Sequence, residues 1–310
     1  MDTQALKQDL YREDSYDREQ DDYLVRGTAK NGLLRCVAVR TVRVCDTARK
    51  YHDLSPIATV ALGRLMTGAL LLGIDQKNTS DQLSLVVRGN GPIGGMTAIA
   101  EPKGKVRGLV GNPHTEAVYL REGKYNVGAV VGQGQLTVVR NTGLKEPYVG
   151  STNLVSGEIA EDLTAYCFYS EQVPTILALG VKVESSGVVA AGGLLIQVMP
   201  GATDELLDWL EKRAAGFPDI TDFVSDGFNP HQLIDLFLGD PELEYGSSYP
   251  VSYQCDCSKE RMEKALLTLG DTELQELAQD EQGITLECHF CPQKYHFNQE
   301  EIKQLLARGK

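Results

Sequence analysis

Four of the seven cysteines fall in two tight pairs near the end of the chain. They read Cys255-Asp-Cys257, then thirty residues, then Cys288-His-Phe-Cys291. A Cys-x-x-Cys pair puts two sulfurs on one turn, close enough to share a metal ion. Two such pairs supply the four thiolates of a tetrahedral zinc site, with Zn–S near ~2.3 Å. The first pair is one residue tighter than the usual zinc spacing, so its chelate geometry is more strained. The spacing predicts one zinc ion held by Cys255, Cys257, Cys288 and Cys291. His289 and His296 lie nearby, but four cysteines already close the shell, and both histidines read as non-ligands. Pro292 follows Cys291, which excludes the C-x-x-C-H pattern of haem attachment.

Thiolates are the oxidisable form of cysteine, and a metal keeps them deprotonated. Cys257 precedes a predicted helix near Lys259 and Arg261, and Lys294 follows Cys291, so each cation would favour thiolate charge. Two readings of the quartet stay open on these residues alone: an inert structural clip, which is the commoner case, and a redox-active centre. Residues 246–297 cannot bury much core, and modules of that size usually need a metal or disulfides. Binding at a four-thiolate site contributes roughly 10–16 kcal/mol, which is folding energy. Metal removal should therefore unfold the module.

The elements that must position these cysteines are short. A helix is expected from Ser258 to Leu269, ending at Gly270. A second should run from Thr272 to Gln282, with Thr272 and Gln275 as a capping box and Gly283 as its stop. Ile284–Glu287 and Tyr295–Phe297 should pair as a hairpin around the second cysteine pair. A last helix begins at Asn298, with Glu301 three residues on.

Upstream, residues 1–20 are highly charged and are expected to pack weakly. Strands are predicted over Asp22–Gly27 and Leu33–Arg40, joined by Lys30-Asn31-Gly32, since Asn-Gly favours positive φ. Thr41–His52 reads as a helix, and Ser55-Pro56 opens an apolar one that should be buried. Cys36 and Cys45 read as small core residues. Gly89-Asn-Gly91-Pro-Ile-Gly94 is a literal G-x-G-x-x-G, but the stretch Gly95–Pro102 behind it is too short for the helix that dinucleotide binding requires. Pro92 also removes an amide, so the motif reads as a glycine-rich turn. The β pattern continues through Gln82–Val87, Gly95–Pro102, Lys105–Val110, Val127–Val131 and Gln135–Val139. A helix capped by Ser156 should run to Glu171, with Cys167 on its apolar face. Buried strands are expected at Thr175–Glu184 and Leu194–Met199.

Composition changes after Pro200. Residues 201–245 carry eleven acidic side chains against Lys212 and Arg213, and thus −9 of the total −13. They also hold Trp209 and four of the seven phenylalanines, Phe217, Phe223, Phe228 and Phe237. Two amphipathic helices fit here. Their aromatic face is either the core of a small subdomain or a surface exposed under particular conditions. The chain thus reads as α+β: a strand-rich N-terminal domain with inserted helices (1–200), an acidic helical linker (201–245) and a small C-terminal zinc-binding domain (246–310). The acidic balance fits poorly with nucleic-acid binding, which needs a basic face. The polar start carries no apolar signal core, and no apolar run is long enough to span a bilayer. An odd cysteine count in such a chain points to reduced thiols and a cytoplasmic location.

The Cys-x-Cys, thirty-residue, Cys-x-x-Cys arrangement resembles the zinc-binding C-terminus of the bacterial 33 kDa heat-shock protein family. The likeness extends to Cys255-Asp-Cys-Ser-Lys-Glu-Arg261, Ala265-Leu-Leu-Thr-Leu-Gly270, Gly192-Gly-Leu-Leu-Ile-Gln-Val-Met-Pro200, Tyr169-Ser-Glu-Gln172 and Val106-Arg-Gly108. The resemblance implies a cytoplasmic, redox-regulated holdase chaperone rather than an enzyme. It implies zinc bound in the reduced, inactive state and two redox-active disulfides, Cys255–Cys257 and Cys288–Cys291, on oxidative activation. It further implies a homodimer on activation, unfolded or damaged proteins as partners, and no nucleic-acid or membrane partner. Two other readings compete with it. A thiol–disulfide oxidoreductase would use Cys288-His-Phe-Cys291, but expects that pair at a helix start after a strand. A zinc-knuckle nucleic-acid binder is opposed by the acidic balance.

Overall fold

The computed structural model describes residues 21–76, 78–120 and 124–308. The charged stretch 1–20, expected to pack weakly, lies outside the described residues. The chain forms two compact units that part between Tyr253 and Gln254.

The first unit opens with β1 (Tyr23–Ala29) and β2 (Leu34–Arg40), an antiparallel hairpin. Lys30, Asn31 and Gly32 turn it with φ of 52°, 54° and 81°, the left-handed region that Asn-Gly favours. Helices α1 (Val42–His52) and α2 (Pro56–Leu72) follow. Ser55 caps α2 by accepting from Ala58 N, and Pro56 sits at its first position. Then come β3 (Gln82–Gly89), β4 (Met96–Glu101), β5 (Lys105–Val110), α3 (Val127–Val131), β6 (Gly134–Asn141) and β7 (Tyr148–Asn153). Helix α4 (Ala160–Tyr169), β8 (Thr175–Glu184) and β9 (Gly187–Val198) complete the residues before 200.

Two sheets result. One has the order β11-β5-β4-β3-β6-β7 and the other β10-β1-β2-β9-β8, where β10 is Glu244–Pro250 and β11 is Ser252–Tyr253. Helix α2 lies in the core they share. Its buried residues pack with Leu83, Leu85 and Ala98 of one sheet and with Val37, Leu179 and Leu195 of the other. This layering explains why α2 is apolar on nearly every face. It also explains the strand patterns. β3 and β4 alternate buried and half-buried because one side faces outward, whereas β9 is buried along most of its length because both sides are covered.

The second cover is the acidic segment. Helices α5 (Asp204–Ala215), α6 (Ile220–Ser225) and α7 (Pro230–Leu238) lie against the outer side of the β1-β2-β9 sheet. Phe228, Phe237, Leu233 and Ile234 are almost fully buried there with Tyr23, Val25, Ala38 and Ile196. The aromatic face is therefore neither a separate subdomain core nor an open surface: the sheet is its partner. Asn229 and Gln232 form a reciprocal capping box at the start of α7.

Several expectations are corrected. Val127–Val131 is a helix, not a strand. Asn126 caps it by accepting from Ala129 N, and Val127, Val130 and Val131 bury one face at i, i+3, i+4. Helix α4 starts three residues later than a Ser156 cap would require. The buried Asp162 carboxylate accepts from the amides of Val155, Ser156, Gly157 and Ile159, and so fixes the entry instead. Strand β9 runs through Gly192 and Gly193 from Gly187 rather than beginning at Leu194. A side chain at Gly193 would strike Leu71, Thr67 and Leu179. The expected boundary before residue 246 also differs from the observed division, because β10 pairs with β1 and β11 pairs with β5.

The glycine-rich turn follows β3 as the sequence suggested, and β4 begins at Met96. The amides of Asn90, Gly91 and Ile93 donate to the carbonyls of Gln133, Val131 and Val130. Those donors are committed to the turn, so they offer no phosphate cradle.

The second unit contains α8 (Lys259–Leu267), α9 (Asp271–Leu277), the hairpin β12 (Ile284–Glu287) and β13 (Lys294–Phe297), and α10 (Gln299–Arg308). Helix α9 is shorter than Thr272–Gln282 and has no side-chain cap, so the Thr272–Gln275 box does not form. Asn298 and Glu301 do bond each other's backbone amides at the start of α10. The buried core is small: Leu266, Leu274, Ala278, Phe297, Ile302 and Leu305.

Candidate metal centre

Two local structures bring the cysteines together. Cys255 and Cys257 lie in the irregular stretch before α8, whose N-cap is Ser258. Cys288 and Cys291 lie in the loop between β12 and β13. The register Glu287↔Lys294 fixes the base of that loop, and Cys288 N donates to Gln293 O at 3.0 Å. Phe290 N points at Cys288 Sγ, 3.4 Å away, which bends the loop around that sulfur.

The four sulfurs all lie within 4.8 Å of one another. Cys255 and Cys288 are 3.6 Å apart, and Cys257 and Cys291 are 3.4 Å apart. In a tetrahedron with Zn–S near ~2.3 Å, the edge between sulfurs is about 3.8 Å. The group therefore has the size and the donor set that a zinc ion requires. Four close cysteines that can hold a metal ion are thus a property of this fold. His289 and His296 are both exposed and lie outside the sulfur group; His296 Nδ1 is 3.2 Å from Thr285 Oγ1.

The electrostatics are uneven. Burial, aided by neighbouring thiols, pushes Cys255 well above the ordinary thiol range and Cys291 up to about 11. Burial also opposes ionisation of Cys257, but hydrogen bonds from Tyr295 Oη and the Cys291 thiol outweigh it and hold that thiol below its usual value. Tyr295 Oη donates to Cys257 Sγ at 3.2 Å. The sequence reading missed Tyr295; its only signal was a place in β13, two residues from the buried Phe297. The cations expected to favour thiolate pair with carboxylates instead: Lys259 with Glu301, Arg261 with Asp256 and Lys294 with Glu287. Lys259 also sits over the Phe297 ring.

Cys36, Cys45 and Cys167 are at most 1% exposed, as expected for core residues. Burial pushes all three thiols up to about 12. The Cys288–Cys291 pair lies in a hairpin loop rather than at a helix start, so it lacks the setting of a thioredoxin-like pair. No helix among the described residues is long and apolar enough to cross a membrane.

The chain has relatives along most of its length. The family model described as Hsp33 protein matches residues 22–298. The 33 kDa chaperonin of Ruminiclostridium cellulolyticum is 42% identical over 93% of this chain and 99% of its own length. That of Acetivibrio thermocellus is 40% identical over 92% and 97%. The crystal structure of the 33 kDa chaperonin of Thermotoga maritima superposes with a TM-score of 0.84 at 35% identity, covering 93% of this chain and 99% of that one. With the match running through both units and the four-cysteine centre, the chain belongs to the Hsp33 family of chaperones.

Proposed function

We propose that this chain is an ATP-independent holding chaperone whose activity is switched by the redox state of Cys255, Cys257, Cys288 and Cys291. The observation that carries the reading is the four-sulfur cluster in a unit whose fully buried apolar core, among the described residues, is six side chains. A zinc ion bound there would keep the thiolates deprotonated and tie residues 255–257 to residues 288–291. A peroxide would join Cys255 to Cys257 and Cys288 to Cys291. In each pair two thiolates would give up two electrons and one S–S bond would form, while the O–O bond of one hydrogen peroxide breaks and takes up two protons from solvent to leave two waters; the zinc ion, its ligands spent, would pass to solvent. The cysteines are then spent as ligands, and nothing ties the two segments together. The second unit unfolds, the covering helices of residues 201–245 loosen, and apolar surface becomes available to unfolding proteins. The charge of −13 keeps such a chain dispersed while it holds them. By analogy with the family resemblance, the active state is a homodimer and the compartment the cytoplasm.

The test is aggregation of a heat-unfolding client, followed by light scattering, with the chaperone either reduced or peroxide-treated under mild heat. Suppression by the oxidised form alone is expected. Equal suppression by both forms, or by neither, would refute the switch.

A further inference from the structure

Helices α4 and α5 flank an open cleft of about 650 Å³ in the first unit. Leu177, Ile196 and Val198 line it from the sheet, Phe168 from α4, and Leu207 and Leu210 from α5. Phe168 and the adjacent Tyr169 are 57% and 70% exposed, and their rings pack edge to face. Two carboxylates also border the cleft, Glu161 on α4 and Glu211 on α5. Both are exposed, and neither forms an ion pair among the described residues. The first residues of β8, Thr175 to Leu177, line it too, and β8 is an edge strand of its sheet.

Each feature restricts the ligand. The lining takes apolar side chains. The strand edge, which no other strand among the described residues pairs, offers backbone groups to another extended chain. The two unpaired carboxylates favour a cation and repel phosphates or fatty acids. A folded partner would have to present all three on a protruding strand, whereas an unfolded chain does so wherever an apolar run meets a basic residue.

We propose that this cleft receives an extended apolar polypeptide segment flanked by lysine or arginine, as displayed by an unfolded protein. The proposal rests on the holding-chaperone reading and adds to it a place and a charge preference. Helix α5, which buries only Leu210, forms the looser wall. Loosening of α5, with Leu210 and Glu211 still bordering the cleft, would widen its mouth, so oxidation should raise affinity without creating a new site.

Two labelled nine-residue peptides test this, alike in five alternating apolar residues and differing in two flanking lysines or two flanking glutamates. Fluorescence anisotropy is read against the full-length, peroxide-treated protein. The lysine peptide should bind roughly tenfold tighter at low ionic strength, with the gap closing in high salt. The double variant Glu161→Lys/Glu211→Lys should reverse the preference, and Phe168→Ser should weaken both peptides several-fold. All three positions are exposed, so the variants should fold. Equal affinity for the two peptides, or a preference unchanged by charge reversal, would overturn the proposal. Client aggregation run in parallel separates the two claims. A parent protein that holds clients while the variants hold them equally well removes the cleft alone. A parent that holds none in either redox state removes the chaperone switch, and the peptide measurements still decide the cleft.

Discussion

Peroxide treatment should unfold residues 254–308 while leaving the first unit folded. Within each cysteine pair, a disulfide closes a loop of only three or four residues. In the loop-entropy model such a bridge contributes about 2 kcal/mol or less, and strain in Cys-x-Cys lowers that further. Two of them replace a metal site worth roughly 10–16 kcal/mol. The deficit, on the order of 6–12 kcal/mol, rivals the entire stability of a typical domain. Bridges between the pairs would act oppositely. Cys255–Cys288 and Cys257–Cys291 span more than thirty residues, and the first of them would contribute about 4 kcal/mol while keeping the unit closed. Sulfur distances alone do not choose, since all four lie within 4.8 Å. Hydrogen exchange read by mass spectrometry over 284–297 and 299–308, with non-reducing peptide mapping of the same sample, decides the matter. Protection in β12, β13 and α10 should fall to coil values, with bridges inside each pair. Bridges between pairs, or retained protection, would refute the reasoning.

The variant with serine at positions 255, 257, 288 and 291 should lose a single zinc ion that native mass spectrometry detects on the parent; stoichiometric metal on the variant would remove the ligand assignment. Phe237→Ala should lower the stability of the first unit by about 3–5 kcal/mol in urea titrations followed by Trp209 fluorescence, since the ring is 1% exposed between α7 and the sheet. A loss under about 1 kcal/mol would mean that α7 does not share that core. Burial pushes the Asp22 carboxyl up to about 6, although Val44 N donates to Oδ2; Oδ1 is buried without a hydrogen bond. The folded state then holds its proton more tightly than the unfolded one, so this group weakens the fold progressively from about pH 4 to about pH 6; Asp22→Asn should flatten that slope of Tm and be up to roughly 3 kcal/mol more stable at pH 7. An identical pH slope in both proteins would contradict this. On oxidation, amide exchange should rise in β10 and α5 before α7, and unchanged rates in all three would make residues 201–245 independent of the second unit.

What could be read in advance was local chemistry. The cysteine spacing, the Asn31-Gly32 turn, Ser55-Pro56 and the Asn298–Glu301 box each carry their cause within a few residues, and each forms a corresponding structure. What escaped depends on distant neighbours. Strand β7 has no alternating apolar pattern because none of its six residues is buried, so periodicity could not reveal it. Val127–Val131 looked like a strand by residue type, yet Asn126 and a one-sided burial make it a helix. The partner of Phe228 and Phe237 is a sheet whose strands lie near residues 25, 38 and 195, which no local window contains. Strand β10 belongs to the first unit only because β1, more than two hundred residues earlier, offers its edge. Tyr295 obeys the same rule: its role is visible only once the hairpin places its hydroxyl beside Cys257.

The two units differ in what oxidation can reach. Cys36, Cys45 and Cys167 are sealed in layered cores and kept protonated, so neither access nor ionisation favours attack. The four clustered cysteines sit in a unit whose buried core, among the described residues, is six side chains, and Cys255, Cys257 and Cys291 are half-buried rather than sealed. Any effect on residues 201–245 can be passed back along the backbone, and that route is graded. Cys255 is two residues from β11, which pairs with β5 over just Ser252 and Tyr253. Strand β10 comes next, bulged against β1 between Val25 and Gly27. It is tied to α7 through Tyr245 Oη, 2.7 Å from Asp235 Oδ1 and 2.9 Å from the His231 carbonyl. Helix α7 buries seven of its nine residues, whereas α5 buries one of twelve. A pull that frees β11 therefore meets its first strong resistance at Tyr245 and α7. Helix α5 lies beyond α7 on that route, yet with one buried residue it opens at far smaller cost, so strain that α7 withstands is enough to loosen it.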